Sequence, residues 1–396
     1  MLQAGAALAR DEDLALAATR AARAALEACG TDRADAAFVF VAGPRSEAGR
    51  AGVAAAAVLG TPATAAATMH GALGGGLEEE GRSAVSVLAL AGLEATPFRL
   101  EHLAGAEDMA GAELEASLPP TPGPADLVVL FADPVALDLP RLLRSIDEGR
   151  AARTLVGLAA AVGPRGPARL LWCGREVEAG GACGLVLHLD EPARVVVSHG
   201  CRPITEPLPV TRVEGHWLLE IGGRPALEVY REAAGSLLGS DLSRAAGRLL
   251  VALPRGPLRD DFVVRRVTGF APERQAFALA EPLRSGVSLR LALREAALVR
   301  EDLQRALAAA GPATAALYLS CPGRGHRLFH HPGLETATVD NALAGTVVAG
   351  GFGSFQFGPV AAATELHTYA AVVALLGVKK GAGFDSSTSR AGGARS

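Results

Sequence analysis

The chain has 396 residues and a mass of 40.3 kDa, which is long for a single core and predicts two domains or two halves of a large one. A net charge of -4 and a pI near 6.2 argue against DNA as the main partner, since a duplex-binding protein usually carries a basic face. The five cysteines are odd in number, scattered and never spaced as C-x-x-C, which excludes a disulfide framework and a zinc ribbon.

The same features predict a cytoplasmic protein without membrane insertion. The N-terminal stretch is apolar but short and runs into acidic residues, unlike a signal peptide. The longest apolar run, at 361–376, contains Glu365 and His367 and is too short to span a bilayer, so it predicts one or two buried strands.

In chain order, the hydrophobic pattern alternates between helices and strands over the first 160 residues. Within this part, Gly and Pro mark a loop or linker at 105–124. Short apolar runs over 168–221 predict an antiparallel meander, and alternation over 287–294 places Arg294 on a wet face. The predicted helices are 11–29, 47–58, 138–149, 225–238 and 301–310, and the main predicted strands are 36–41, 83–90, 126–131, 154–158, 247–253, 261–267, 275–280 and 315–319.

A weak internal repeat is visible. Three buried strands end in a small turn that contains Pro, at 39–44, 128–134 and 317–322, and a second Gly/Ala/Val strand is predicted to begin near 57, 154 and 346. The intervals differ, so the pattern favours a duplicated α/β unit only loosely.

The segment most suited to chemistry is 313–329, where an apolar run ends in Cys-Pro-Gly-Arg-Gly. Pro322-Gly323 fits the centre of a type II turn, and bare glycine backbone lets a ligand approach closely. Arg324 is interpreted either as a clamp for a carboxylate or phosphate, or as a structural residue that ties the turn to a helix C-terminus. Cys321 is either a reactive thiolate or a buried small residue.

Other polar motifs have simpler interpretations. Gly74-Gly75-Gly76 predicts a flexible turn, since it lies in no dinucleotide fingerprint, and the glutamates at 78–80 predict a solvated run at a helix start. The histidines at 326, 330 and 331 superficially resemble a metal or haem patch, but their spacing matches no zinc pattern and a solvated loop is preferred.

Several motifs together carry a family resemblance. Segment 320–329, Ser-Cys-Pro-Gly-Arg-Gly-His-Arg-Leu-Phe, resembles the signature of the C-terminal FIST domain (F-box and intracellular signal transduction proteins), and 350–359 with Leu366-His367 resembles its later motif. Segments 74–80, 84–88 and 126–134 resemble the N-terminal FIST domain, and 200–227 resembles the joining segment of bacterial stand-alone members. The chain departs from the pattern at Phe355-Gln356, where Gly-Glu is usual.

The resemblance implies an α/β (α+β) fold of two related halves with mixed β-sheets flanked by helices, with a layered α-β-β-α arrangement as one option. It implies an N-terminal FIST domain at 1–200 and a C-terminal FIST domain at 201–378. The tail at 379–396 is rich in Gly, Ser and Arg and is expected to be disordered.

The function implied is a non-enzymatic cytoplasmic sensor that binds amino acids or similar small metabolites in a cleft between the halves and signals to a separate output protein. The alternatives are a thiol-dependent enzyme using Cys321 with His326 or His367, a haem-based gas sensor, and a scaffold for a partner kinase. No metal site, other cofactor or nucleic-acid partner is expected. The predicted ligand-binding residues are Gly157, Cys321, Gly323, Arg324, Gly325, Gly351, Gln356 and His367.

Overall fold

The computed structural model describes residues 1–119, 123, 125–149, 154–162, 170–238 and 241–378. Within these residues one unit occurs three times along the chain. Each unit runs strand, helix, strand, helix, strand, hairpin and closing strand, and its second and third strands are parallel.

The first unit shows how composition produces the local structure. Its first helix begins at Asp13, whose side chain accepts hydrogen bonds from the N–H groups of Ala15 and Leu16, and ends at Gly30 with φ 74°. Its alanine-rich face is buried, which lets the helix pack closely on the sheet. The elements are β1 Gln3–Arg10, α1 Leu14–Cys29, β2 Ala36–Ala42, α2 Arg45–Leu59, β3 Thr64–Met69, β4 Gly71–Gly74, β5 Leu77–Glu80 and β6 Ala84–Ala91.

The second unit has the same order with shorter helices. Its parallel strands are continuous apolar runs that are buried almost throughout, as expected of strands covered on both faces. The elements are β7 Glu94–Leu100, α3 Ala110–Ala116, β8 Leu127–Ala132, α4 Leu139–Gly149, β9 Thr154–Ala159, β10 Leu171–Cys173, β11 Arg175–Val177 and β12 Ala182–His188.

The third unit is interrupted after its first strand by an insertion with its own apolar core around Tyr230 and Phe277. The insertion contributes a mostly antiparallel nine-stranded sheet. The elements up to its end are β13 Arg194–Ser198, β14 Arg202–Pro203, β15 Leu208–Glu214, β16 Trp217–Ile221, β17 Arg224–Pro225, α5 Ala226–Leu238, α6 Leu242–Arg248, β18 Leu249–Pro254, β19 Phe262–Arg265, β20 Val267–Ala271, β21 Ala276–Leu279 and β22 Ser288–Leu293.

The third unit then resumes and carries the segment singled out from the sequence. Its elements are α7 Ala296–Ala310, β23 Ala313–Ser320, α8 Gly325–Phe329, α9 Leu334–Ala342, β24 Val347–Phe352, β25 Gln356–Val360, β26 Ala363–His367 and β27 Ala371–Val378.

The three units build three six-stranded sheets with one shared strand order. The sheets run β1-β6-β2-β3-β10-β11, β7-β12-β8-β9-β25-β26 and β13-β27-β23-β24-β4-β5. Each unit's hairpin therefore completes the sheet of another unit. Because of this exchange, residues far apart in sequence meet at the ends of the parallel strands.

The inner faces of the three sheets share one core. Phe40 of the first sheet, Phe131 of the second and Leu317 of the third lie in the same apolar cluster. Helices cover the outer faces, with α1 and α2 on the first sheet, α3 and α4 on the second, and α7 and α9 on the third. The predicted mixed α+β class with helices flanking mixed sheets is confirmed, and the three sheets surround a core rather than forming an α-β-β-α stack.

Several local predictions need correction. The strand expected near 57 lies within α2, because an alanine-rich stretch has no distinct period, and the strand is Thr64–Met69. Part of the predicted linker at 105–124 forms α3, which buries Leu114. The glutamates at 78–80 lie in strand β5 rather than at a helix start, because Gly75-Gly76 form a hairpin turn.

The predicted meander over 168–221 is also wrong. Its four apolar runs are strands, but they lie in four different sheets as β10, β12, β13 and β16. The apolar pattern therefore identifies the strands but not their partners: β10 belongs to a hairpin exchanged into the first sheet, whereas β12 and β13 pair within their own units. The tail at 379–396 lies outside the described residues.

Candidate functional site

The turn after β23 carries a fully buried arginine. Arg324 has no exposed surface, and its Nε lies 2.6 Å from Oε1 of Glu335 in the first turn of α9. The hydroxyls of Tyr318 and Ser320 also donate to Glu335, whose other oxygen accepts the Gly325 N–H at 2.7 Å. Burial disfavours the charge on Arg324, but the Glu335 carboxylate outweighs it and raises the guanidinium pKa.

A second buried arginine comes from the connection between β22 and α7. Arg294 is 7% exposed, donates to the Gly323 carbonyl and lies with its guanidinium carbon 4.7 Å from the Tyr369 ring centroid. Among the described residues it has no carboxylate within ion-pair distance. Burial lowers the pKa of Arg294. The nearby Cys321 opposes this shift, and the repulsion of Arg324 adds to it. The Arg294 charge is therefore buried without a counter-ion.

Two histidines lie beside these arginines. The His199 and His367 ring centroids are 5.4 Å apart, and His199 stacks on Phe262 at 4.5 Å. Burial, with the Arg324 charge nearby, lowers the pKa of His199 to about 4. Burial and His199 lower the pKa of His367 to about 3, although a bond to the Gly358 carbonyl opposes this. Both rings are neutral at physiological pH.

Gln356 faces the same space. It pairs directly with His367 across β25 and β26, and its amide nitrogen donates to the carbonyls of Ser320 at 3.0 Å and Gly353 at 3.3 Å. These two bonds fix the orientation of the amide, so that its oxygen points away from the Ser320 and Gly353 carbonyls. The side chain is fully buried.

These side chains share one property. In the described residues, six buried side-chain nitrogen or oxygen atoms have no hydrogen-bond partner, and five of them belong here. We call the five residues the buried polar cluster; the atoms are His199 Nδ1, Arg294 Nε, Arg324 Nη2, Gln356 Oε1 and His367 Nδ1. Buried polar groups in folded proteins are nearly always satisfied, so such a concentration indicates a missing partner.

An open cavity reaches the edge of the cluster. It has a volume of about 720 Å³, and His199, Cys201 and Phe262 lie in its wall. Gly200 separates this wall from Arg324, and a Cβ atom there would lie 3.0 Å from Arg324 Nη1. The glycine therefore lets the backbone between His199 and Cys201 pack directly against the buried guanidinium.

Five of the eight residues predicted to bind a ligand come together at the cluster or in contact with it. Arg324, Gln356 and His367 belong to it. Cys321 follows Ser320 beside Gln356, and a Cβ at Gly323 would lie 2.8 Å from the Tyr369 ring and 3.4 Å from Cys321 Sγ.

The other three predicted residues do not face the cluster. Gly325 is buried next to Arg324 and its N–H bonds to Glu335, but its Cα faces the exchanged hairpin, where a Cβ would lie 2.3 Å from Glu80 Oε1. Gly157 is in β9 against the Leu130 carbonyl, and Gly351 faces Met69 in the shared core. Both of these serve close strand packing.

Sequence reasoning missed two members of the cluster. Arg294 was placed on a wet face by alternation, but Ala292, Leu293 and Arg294 show that the alternation ends before the strand does, and Arg294 is turned inward. His199 adjoins the Gly200-Cys201 motif, which was taken only as part of a joining segment. A lone buried histidine leaves no other signal in the sequence.

Cys321 is a poor candidate for a thiolate. Burial raises the pKa of its thiol, and the neighbouring Arg294 and Arg324 offset this only in part. Of its two predicted partners, His326 lies in the first turn of α8 and is exposed, with its N–H bonded to Glu80. His367 bonds through Nε2 to the Gly358 carbonyl, and its Nδ1 has no hydrogen-bond partner. Neither histidine is therefore hydrogen-bonded to the thiol in the described residues.

The exchanged β4–β5 hairpin holds the Arg324 segment from outside. Glu78 accepts hydrogen bonds from Gly333 and Thr336 at the start of α9, and Glu80 accepts the His326 N–H at 2.7 Å. Burial raises the pKa of Glu80 to about 7 despite the His326 bond. Carboxylates from another unit thus hold both helices that follow the turn.

A larger cleft lies on the far side of β26. It has a volume of about 1090 Å³ and lies between α4, the insertion and the β25–β26 hairpin. Its inner charges are paired: Arg255 contacts Glu281 and Glu365, and Arg265 contacts Glu281 and the Leu366 carbonyl.

In the part of the chain that the structure describes, no group of three or more His, Cys, Asp or Glu side chains is placed to hold a metal ion. In the same residues, no helix combines the length and apolar character needed to cross a membrane.

Comparison with known proteins agrees with the motifs. The FIST N domain model matches residues 35–224, and the FIST C domain model matches residues 226–358. An uncharacterized protein of Mycobacterium bovis is 28% identical over 375 residues, covering 90% of this chain and 95% of that protein. An uncharacterized protein of Mycobacterium tuberculosis is 30% identical over 260 residues, covering 63% of this chain and 68% of its own length. With both domain models matched in order over most of its length, the chain belongs to the FIST family.

Proposed function

We propose that this protein is a sensory, signal-input protein that binds a small metabolite in the buried polar cluster. The family is generally associated with signal transduction and small-ligand sensing. The observation that carries the proposal is that five of the six unpartnered buried polar atoms in the described residues belong to this one cluster of side chains. In this proposal the protein acts in the cytoplasm and passes its signal to a separate output protein.

The energetics favour a bound partner. Leaving a buried donor or acceptor unsatisfied costs about 1–3 kcal/mol, and more for a charged group. Five such atoms in one place would weigh heavily against a fold whose net stability is of the order of 5–15 kcal/mol. A ligand that bonds to them recovers that cost on binding.

The charges indicate a carboxylate on the ligand. Arg324 is neutralised by Glu335, whereas Arg294 has no acidic partner in the described residues. Buried charges are normally paired, and a guanidinium presents its N–H groups to a carboxylate in a matching geometry. An amino acid or a similar small metabolite with a carboxylate fits this requirement, and the cavity that ends at His199 is the proposed entrance.

The test is calorimetric titration and thermal shift with a panel of amino acids and other small carboxylates. A ligand at 100 times its dissociation constant stabilises the folded protein by about 2.7 kcal/mol, which a thermal shift detects. Arg294→Met should abolish binding, since the variant removes the unpaired charge. Arg99→Met is the matched control, because Arg99 also donates to a backbone carbonyl, that of Cys173, but lies in β7.

No shift from any panel member at millimolar concentration would overturn the proposal. Equal binding by wild type and Arg294→Met would leave a ligand-binding protein but move its site away from the cluster.

A further inference from the structure

The unpartnered atoms of the cluster divide into donors and acceptors. Arg294 Nε and Arg324 Nη2 can only donate, and Gln356 Oε1 can only accept. His367 Nε2 lies 3.1 Å from the Gly358 carbonyl, so it carries the proton, and the neutral ring then presents a lone pair at Nδ1. The cluster therefore offers two charged donors and two neutral acceptors, together with His199 Nδ1, which donates or accepts according to the tautomer of the ring.

The two kinds of atom come from different parts of the fold. Both acceptors lie on the β25–β26 hairpin, where Gln356 and His367 are direct cross-strand partners. Both donors lie on connections, Arg294 before α7 and Arg324 before α8. A ligand that satisfies these four atoms carries a hydrogen-bond acceptor at one end and an N–H or O–H group at the other, and the uncompensated charge of Arg294 favours an oxyanion as that acceptor.

The charge count decides which kind of donor the ligand carries. Arg324 and Glu335 cancel, Gln356 and both histidines are neutral, and Arg294 leaves one positive charge. A monoanion with a neutral donor makes the filled site neutral. A zwitterionic amino acid adds no net charge, leaves the positive charge uncompensated and buries an ammonium against neutral acceptors, which is unfavourable in a site that excludes water.

We propose that the cluster selects small monoanions that carry a neutral hydrogen-bond donor, of the 2-hydroxy-acid type, over zwitterionic amino acids with the same side chain. This inference rests on the proposed function and narrows its ligand class. Arg294 supplies the attraction for the carboxylate, and Gln356 and His367 accept from the hydroxyl.

The test uses matched trios of ligands at pH 7.5: glycolate, glycine and acetate; L-lactate, L-alanine and propionate; L-phenyllactate, L-phenylalanine and 3-phenylpropionate. Within any trio that binds, the hydroxy acid should bind at least tenfold more tightly than the amino acid and several-fold more tightly than the plain carboxylate. An amino acid that binds as tightly as its hydroxy acid would overturn the inference while leaving the proposed function intact.

Two variants separate the contributions of charge and of the acceptor. Gln356→Glu supplies the missing negative charge but loses the two bonds that the amide donates to the Ser320 and Gly353 carbonyls. In the folded variant the preference should reverse toward the amino acid by at least tenfold. Gln356→Met removes the acceptor without adding charge, so the advantage of hydroxy acid over plain carboxylate should fall to about the level of the His367 contact alone. An unchanged ratio in Gln356→Glu would contradict the charge argument.

The comparison of ligands within each trio uses the wild-type protein, so it tests the predicted preference even if a variant folds poorly. Failure of all three ligand types in wild type counts against the proposed function, whereas binding with the opposite preference counts only against the charge count.

Discussion

Two polar regions lie on opposite sides of strand β26 and differ in how their charges are satisfied. Leu366 and Thr368 line the larger cleft of about 1090 Å³, whereas His367 between them belongs to the buried polar cluster. In the cleft, Arg265 donates to Glu281 and to two backbone carbonyls. In the cluster, Arg294 and Arg324 each keep an unpartnered nitrogen.

The difference teaches that the region with the larger volume is not the region with the unsatisfied polar groups. The cleft offers more room, but its inner charged groups already have partners, so a ligand there would compete with existing ion pairs. In the cluster, by contrast, a ligand would meet buried polar groups that have no protein partner in the described residues. The proposed site is therefore identified by missing hydrogen-bond partners rather than by volume.

The largest expected effect concerns the one charge in the cluster that is paired. Arg324→Met leaves the Glu335 carboxylate buried without its partner, which should lower the free energy of unfolding by about 3–5 kcal/mol in urea denaturation. The double variant Arg324→Met, Glu335→Leu replaces the ion pair with apolar groups and should recover much of that loss. A single-variant loss below about 1 kcal/mol would mean that the pair does not hold the turn.

The next largest expected effect is a loss of folding stability on substitution of a paired carboxylate in the cleft. Glu281→Gln removes the shared partner of Arg255 and Arg265 and should cost about 1–2 kcal/mol, less than a fully buried pair because Glu281 is 31% exposed. Glu365→Gln is the control, since it leaves Glu281 between both arginines and should cost less. Ligand affinity of the cluster should stay within twofold in both variants, and a larger change would show that the two regions are coupled across β26.

The sequence alone predicts many of the strands that carry these two regions. The three strands ending in a Pro turn are the first members of the three parallel pairs, because buried parallel strands are continuous apolar runs with abrupt ends. The hairpin exchange is not visible in the sequence, since pattern sets which face of a strand is buried but not which sheet receives it. The run at 171–173 illustrates this, as it pairs with β3 of the first unit.

The residues of the candidate site also divide into those that the sequence predicts and those that only the tertiary structure reveals. Cys-Pro-Gly-Arg-Gly gave Arg324 because the motif is local, and Gln356 and His367 followed from the resemblance. Arg294 was missed because alternation assigns an arginine to solvent, and only the packing of the insertion against the third unit turns it inward. Glu335, the partner of Arg324, is an ordinary helix residue in the sequence, and its role depends wholly on tertiary contact.

A smaller effect concerns the outer carboxylate that holds the Arg324 segment. Because the folded pKa of Glu80 is raised to about 7, the folded state binds a proton more tightly than the unfolded chain, and Glu80 lowers stability as the pH rises from about 4.5 to 7. His199 and His367, with pKa values lowered to about 4 and 3, act in the opposite direction over the acidic part of this window. Glu80→Gln should remove only the first contribution.

The measurement is the difference in unfolding free energy between Glu80→Gln and wild type at pH 5 and at pH 7.5. The variant should gain on the wild type by roughly 1 kcal/mol over that interval, a figure reduced for the partial exposure of the side chain. Glu79→Gln is the matched control, since Glu79 pairs with Arg10 instead. A difference that does not vary with pH would show that Glu80 does not titrate in this window.

The smallest stability effect should come from Arg294, the residue expected to matter most for binding. In the unliganded protein Arg294→Met exchanges an uncompensated buried charge for an apolar side chain of similar length, so urea denaturation should show a change within about 1 kcal/mol of wild type, with a gain in stability an expected outcome. The loss of its bond to Gly323 and of its contact with the Tyr369 ring limits that gain. A loss of 3 kcal/mol, like that expected for Arg324→Met, would mean that the fold itself supplies a partner for this charge. The contrast between the cleft, whose charges are paired, and the cluster, whose polar groups lack partners, would then no longer hold.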